Sequence, residues 1–122
     1  MAKNEIFRDA DHLSLPVPTG TVSGDPVKVG ALVGVAETDR ATATNFGGGN
    51  PDGNATVWLK GAHKLTVDGA ITAVGQAVYY VGDGTSRSAQ LTATATDNTL
   101  FGHALETKAA TAAPINVRIA RV

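Results

Sequence analysis

The sequence predicts an all-β fold, a small β-barrel or sandwich of short strands carrying an N-terminal extended arm and a long Gly-rich loop. Three observations lead there. Apolar and polar residues alternate with a period of two in several short segments. Gly, Asp and Pro punctuate the chain between those segments, as turns between strands require. The composition of the 122 residues includes 14 Gly and is sparse in Leu, Glu and Lys, which disfavours long helices. A chain of this length fits one ordinary core, and it divides into an arm, residues 1–12, and a β-rich body, residues 13–122.

The arm is polar apart from Ile6 and Phe7 and precedes the first alternating segment, so it reads as an extension of the core rather than part of it. From His12 to Val17, Leu13, Leu15 and Val17 fall on one face. Pro16 and Pro18 mark this segment as an edge strand or the start of a sheet. Gly20, Gly24, Asp25 and Pro26 make turns around Val22, and Val27, Val29 and the run Ala31 to Ala36 read as an apolar strand pair in the core. Asp39 to Asn54 (DRATATNFGGGNPDGN) has little apolar surface to bury, which predicts a long exposed loop.

Ala55 to Lys60 and His63 to Val67 alternate as half-buried strands. Asp68-Gly69 is a two-residue hairpin signal of the type I′ kind. Ala77 to Val81 ends at Gly82-Asp83-Gly84, a second tight turn, and Ala89 to Thr94 resumes as a strand. Leu100 to Leu105 is a strand in which Gly102 marks a bulge or a close backbone approach. Glu106 to Ala113 is compatible with a short helix or a loop. In the last segment, Pro114 to Val122, Ile115, Val117 and Ile119 share one face.

Most chemistry is excluded by what the residues lack. The net charge is −1 and 17% of residues are charged, so no electrostatic footprint points to nucleic acid or to an anionic membrane. No apolar run is long enough for a membrane helix, and the charged N-terminus has no signal-peptide core, which implies synthesis in a cytoplasm. The chain has no Cys, removing disulfides and thiolate chemistry together. A phosphate-binding loop needs a Gly-Lys step, and none occurs. Gly82-Asp83-Gly84 is followed by Arg87 where a dinucleotide fingerprint has its third Gly. His12, His63 and His103 lie in separate segments without metal-ligand spacing. Asn50, Asp52 and Asn54 alternate like oxygen ligands but lack the downstream Glu of a calcium loop. Ser23 has Thr21 in place of the first Gly of a nucleophile elbow. No catalytic residue, metal ligand or cofactor site is assigned.

The segments GDPVKVGALVGVAETD (Gly24 to Asp39), GQAVYYVGDG (Gly75 to Gly84) and TATDNTLFGHALETKAATAAPINVRI (Thr94 to Ile119), taken together, resemble the phage capsid decoration, or cement, family, long mislabelled as RecA/RadA-type phage recombinases. The resemblance covers nearly the whole chain and rests on layout, since none of the three is a catalytic motif. It implies a β-barrel-like structural subunit on the outer capsid surface of a bacteriophage virion, a homotrimer at threefold positions between copies of the major capsid protein. The recombinase label fails on physical grounds. ATP-driven strand exchange needs a phosphate cradle, a Mg²⁺ carboxylate and a basic DNA channel.

The residues suited to contact a capsid are Ile6 and Phe7 in the arm, His12, Leu13 and Leu15 on the edge strand, and Phe46, a lone aromatic in the Gly-rich loop. The arm is expected to be mobile in the free protein and to order against a neighbouring capsid subunit. A rival reading is a virion-displayed host-surface or carbohydrate-binding module. It requires Trp58, Tyr79 and Phe46 to share one exposed face.

Overall fold

The computed structural model describes residues 3–4, 10–46 and 49–120, so Ile6 and Phe7 of the arm lie outside the described residues. Nine strands account for the regular structure: β1 (His12–Pro16), β2 (Pro26–Val29), β3 (Leu32–Ala36), β4 (Asn54–Trp58), β5 (Ala62–Asp68), β6 (Ala77–Tyr80), β7 (Leu91–Thr92), β8 (Thr99–Ala104) and β9 (Ala113–Ile119). The all-β prediction holds, and the barrel alternative is the right one, with an addition. β5-β7-β6-β8-β9 close into a barrel, while β1-β4-β3-β2 form a separate four-stranded sheet.

Alternation explains the barrel wall. On β9, Ile115, Val117 and Ile119 are buried and Asn116 and Arg118 are exposed. β5 lies antiparallel to it with Leu65 opposite Ile115 and Val67 opposite Ala113. Tyr80, Phe101, Leu91 and Val78 complete the interior, and each large side chain so enclosed contributes about 1.5–3 kcal/mol. Val33 and Val35 of β3 join this same cluster, so the open sheet and the barrel share a core. A smaller cluster of Val17, Val27, Ala36, Ala55 and Val57 belongs to the open sheet.

Several local expectations need correction. Asp68-Gly69 is not a hairpin: β5 pairs with β9 on one side and, through Val67 and Asp68, with β7 in parallel on the other. Gly69 has φ +97°, but Asp68 is not in the left-handed region, so the type I′ geometry is absent. The two-residue hairpin occurs instead at Gly30-Ala31, where Val29 faces Leu32 and Gly30 takes φ +60°. This placement also exposes Leu32 at a position expected to be core.

Gly82-Asp83-Gly84 is likewise not a tight turn, because Tyr80 pairs with Leu91 and residues 81–90 make an excursion between them. The 39–54 loop is exposed in large part, yet Ala41 and Asn50 are buried. Bonds from Ala41 N to Asn54 O and from Gly53 N to Ala41 O tie its base together. Residues 106–112 form a loop with one isolated bridge, Ile71 to Lys108.

Gly102 meets both of its expected roles. The register between β6 and β8 shifts so that Val78 faces Gly102 and Tyr79 faces Leu100, leaving Phe101 as the extra, inward-turned residue of a bulge. Across the sheet, a Cβ on Gly102 would run into the Arg118 carbonyl oxygen and backbone. Because that obstacle is backbone, it cannot swing aside. Gly102→Ala is therefore expected to lower stability by about 1–3 kcal/mol, read as a shifted urea midpoint with an unchanged slope. A midpoint equal to the parent's contradicts the close approach.

Candidate interaction surface

β1 pairs only with β4 among the described residues, with His12 opposite Trp58, Ser14 opposite Thr56 and Pro16 opposite Asn54. Flanking bonds fix which backbone groups face inward: Leu59 N donates to Asp11 O and Val17 N donates to Gly53 O. Odd-numbered residues therefore bond to β4, and the N–H and C=O of His12 and Ser14 point away from the sheet. Pro16 occupies an outward position too, the place in an edge strand where a missing N–H disturbs no bond within the sheet.

The opposite edge is not open. Lys28 of β2 carries Gly84 against its backbone so closely that a Cβ there would collide with the Lys28 carbonyl, and its Nζ donates to Asp83 O at 3.2 Å. Three residues on, Arg87 grips Asp25 through Nε to Oδ2 at 2.5 Å and a terminal nitrogen to Oδ1 at 3.1 Å. The Asp25 carboxylate is buried and also accepts from Val22 N at 3.0 Å, and it raises the Arg87 guanidinium above its ordinary pKa. Residues 81–90 thus act as a strap from the barrel across the β2 edge. Tyr80, whose phenol burial holds above its ordinary pKa, donates to Ser86 O within the strap.

The open edge has two unlike faces. On one, Leu13 and Leu15 lie beside Val57 and Ala55; the latter two are fully buried, while both leucines are only partly buried and Leu15 packs against the open sheet's cluster. On the other, the His12 ring stacks on Trp58 with centroids 4.2 Å apart, and its Nε2 lies 2.7 Å from Glu37 Oε2. The Glu37 carboxyl is held below its ordinary range chiefly by that hydrogen bond, with help from Trp58. Lys60 pairs with Asp11 at 3.1 Å on the strand's N-terminal side. Together these contacts fasten the start of β1 to the sheet.

The structure therefore brings His12, Leu13 and Leu15 onto one edge. Phe46 is exposed, 58% of its surface being accessible, and belongs to neither core cluster. Trp58, Tyr79 and Phe46 lie on three different elements, β4, β6 and the long loop, and Trp58 is engaged by His12. Sequence reasoning missed Glu37, whose partner is 25 residues away, and the neighbouring exposed residues Val74 and Leu105, joined through Gly75 N to Ala104 O. An open groove of about 430 Å³ separates the C-terminal end of β1 from the strap, lined by Pro16, Pro18, Val29, Asp83 and Gly84 among others. Among the described residues no group of three His, Asp or Glu side chains is placed to hold a metal ion.

The lowered Glu37 pKa has a definite sign. Its contribution to stability is present above the ordinary carboxylate value of 4.5 and is lost as pH falls through the lower folded value. Glu37→Gln is expected to flatten the fall in melting temperature between about pH 5 and pH 3 relative to the parent. Parallel curves for the two proteins contradict a folded-state link between Glu37 and His12.

A family model described as phage cement protein matches residues 7–119, spanning both the open sheet and the barrel. No curated protein and no solved structure gives a significant match to the chain. The match takes in the open β1 edge, the strap and every barrel strand, and on that extent the chain belongs to the phage cement protein family.

Proposed function

We propose that this cement protein binds the outer surface of the phage shell between copies of the major capsid protein, as a homotrimer, and stabilises the shell by linking subunits rather than by catalysis. The observation that carries the reading is the uneven treatment of strand edges: the barrel is closed, β2 is strapped, and among the described residues β1 has an open side with two partly buried leucines beside it. His12, Leu13 and Leu15 are the proposed contact residues there, Phe46 a further one on the long loop, and Ile6 and Phe7 contribute from the arm. Each apolar side chain of the arm contributes about 1.5–3 kcal/mol when fully buried. If the residues before Asp11 order only on docking, each costs about 1–2 kcal/mol, so one arm binds weakly and needs backbone hydrogen bonds as well. Three arms on one trimer make the later contacts intramolecular, which raises avidity by roughly 10² to 10⁴.

With 10 basic and 11 acidic residues, the chain offers little long-range attraction to screen. Decoration of purified shells is therefore expected to survive a rise in ionic strength from about 0.1 M to 0.5 M, where the screening length falls well below 10 Å. Release of the protein by salt alone contradicts contact through shape and apolar surface. Chemical crosslinking on decorated shells is expected to produce a ladder ending at three copies. A pattern with monomer alone contradicts the trimer.

A further inference from the structure

We propose that β1 is itself a docking strand, taking an extended segment of a capsid subunit as a fifth strand of the open sheet in a short register terminated by Pro16; this rests on the capsid-binding reading above. The inference comes from the backbone. Register and flanking bonds turn the N–H and C=O groups of His12 and Ser14 away from β4. An added strand exchanges two bonds with each of these residues and gives one more to the Pro16 carbonyl, whose residue has no N–H to return. The edge thus offers two donors and three acceptors, which only another extended backbone can match along its length.

The side chains specify the kind of segment. Leu13 and Leu15 are only partly buried, Leu15 packing against the open sheet's cluster, although their cross-strand neighbours Val57 and Ala55 are fully buried. What is missing is cover from the outer side. A strand laid along β1 places alternate residues beside the leucines and the intervening ones beside His12 and Ser14. The occupant is therefore a capsid segment with apolar residues at every second position and polar ones between. On the polar face the His12 ring, held by Trp58 and Glu37, keeps the edge extended before anything binds, which reduces the ordering that docking requires.

The other strand edges differ from this one. β2 is covered where Gly84 meets Lys28, and the barrel closes, with β5 joined to β7 only through Val67 and Asp68. Pro16 also works against pairing of two β1 edges from two copies. In an antiparallel self-pair centred on Ser14, each His12 carbonyl faces a proline that cannot donate.

The test uses the full-length protein and purified shells of its own phage. Ser14→Pro deletes an outward N–H and leaves the backbone bonds to β4 in place, losing besides only the exposed side-chain bond from Asn54 Nδ2 to Ser14 Oγ at 3.3 Å, and Pro16→Ala restores one outward N–H. Ser14→Pro is expected to melt within a few degrees of the parent and to bind shells about tenfold more weakly, whereas Pro16→Ala binds about threefold or more tightly, each step being the order of one backbone hydrogen bond. Hydrogen exchange provides the second readout: the amides of His12 and Ser14 exchange freely in the free protein and become protected on the shell. If both variants bind like the parent, or those amides stay unprotected on decorated shells, the docking strand is overturned while the capsid-binding reading stands. If the parent itself does not bind shells, both are overturned. If Ser14→Pro fails to fold, the Pro16→Ala affinity and the amide protection decide the matter alone.

Discussion

An outermost β-strand leaves half of its backbone donors and acceptors without partners, and disposing of those groups is the constraint on which this structure depends. The chain uses three different solutions. Five strands close on one another; a strap held by Arg87 and Asp25 lies over β2; and a proline shortens the unpaired row on β1. Among the described residues, the groups left on this edge, the N–H and C=O of His12 and Ser14 and the Pro16 carbonyl, are too few for an extended cross-β stack. A protein that associates with a shell has to keep its free strand edge from stacking on further copies of itself, and this distribution of edges is suited to that requirement.

The strap also explains how two sheets behave as one body. Val33 and Val35 extend from the open sheet into the barrel's cluster, while Gly84, Asp83 and Arg87 return from the barrel to β2 and its preceding turn. Apolar contact fixes the distance between the layers, and the ion pair adds direction. The paired Asp25 carboxylate is buried, so separating it from Arg87 leaves a charge with little access to water. β1 connects through β4 and β3 to the barrel core, the path that load would follow from a shell docked at the β1 edge as proposed.

How much of this was legible in the sequence depended on the range of each interaction. Period-two alternation placed the starts of β9 and β4 within one residue and ran two or three residues past their ends at Ile119 and Trp58, because each strand reports its own buried face but not where its partner stops. Pro16 correctly identified an edge. The turn at Asp68-Gly69 misled because a local hairpin competed with a distant partner: β5 gains six paired positions with β9, nearly half the chain away, and follows that instead. The Gly30-Ala31 hairpin was hidden inside a continuous apolar run. At the site, His12, Leu13 and Leu15 were identifiable from the edge pattern alone. Glu37 and Arg87 were not, since their roles come from partners brought near only by the sheet register and the strap. Phe46 was identifiable as an aromatic without a local core, and it remains exposed.

The central claim is that the open β1 edge, rather than the barrel wall, meets the shell. An image reconstruction of decorated shells at a resolution that separates strands tests it most directly. The account predicts continuous density for a capsid strand about 4.8 Å from β1, running past His12 and Ser14 and diverging at Pro16. A map in which β1 faces solvent and the barrel wall carries the contact would contradict it.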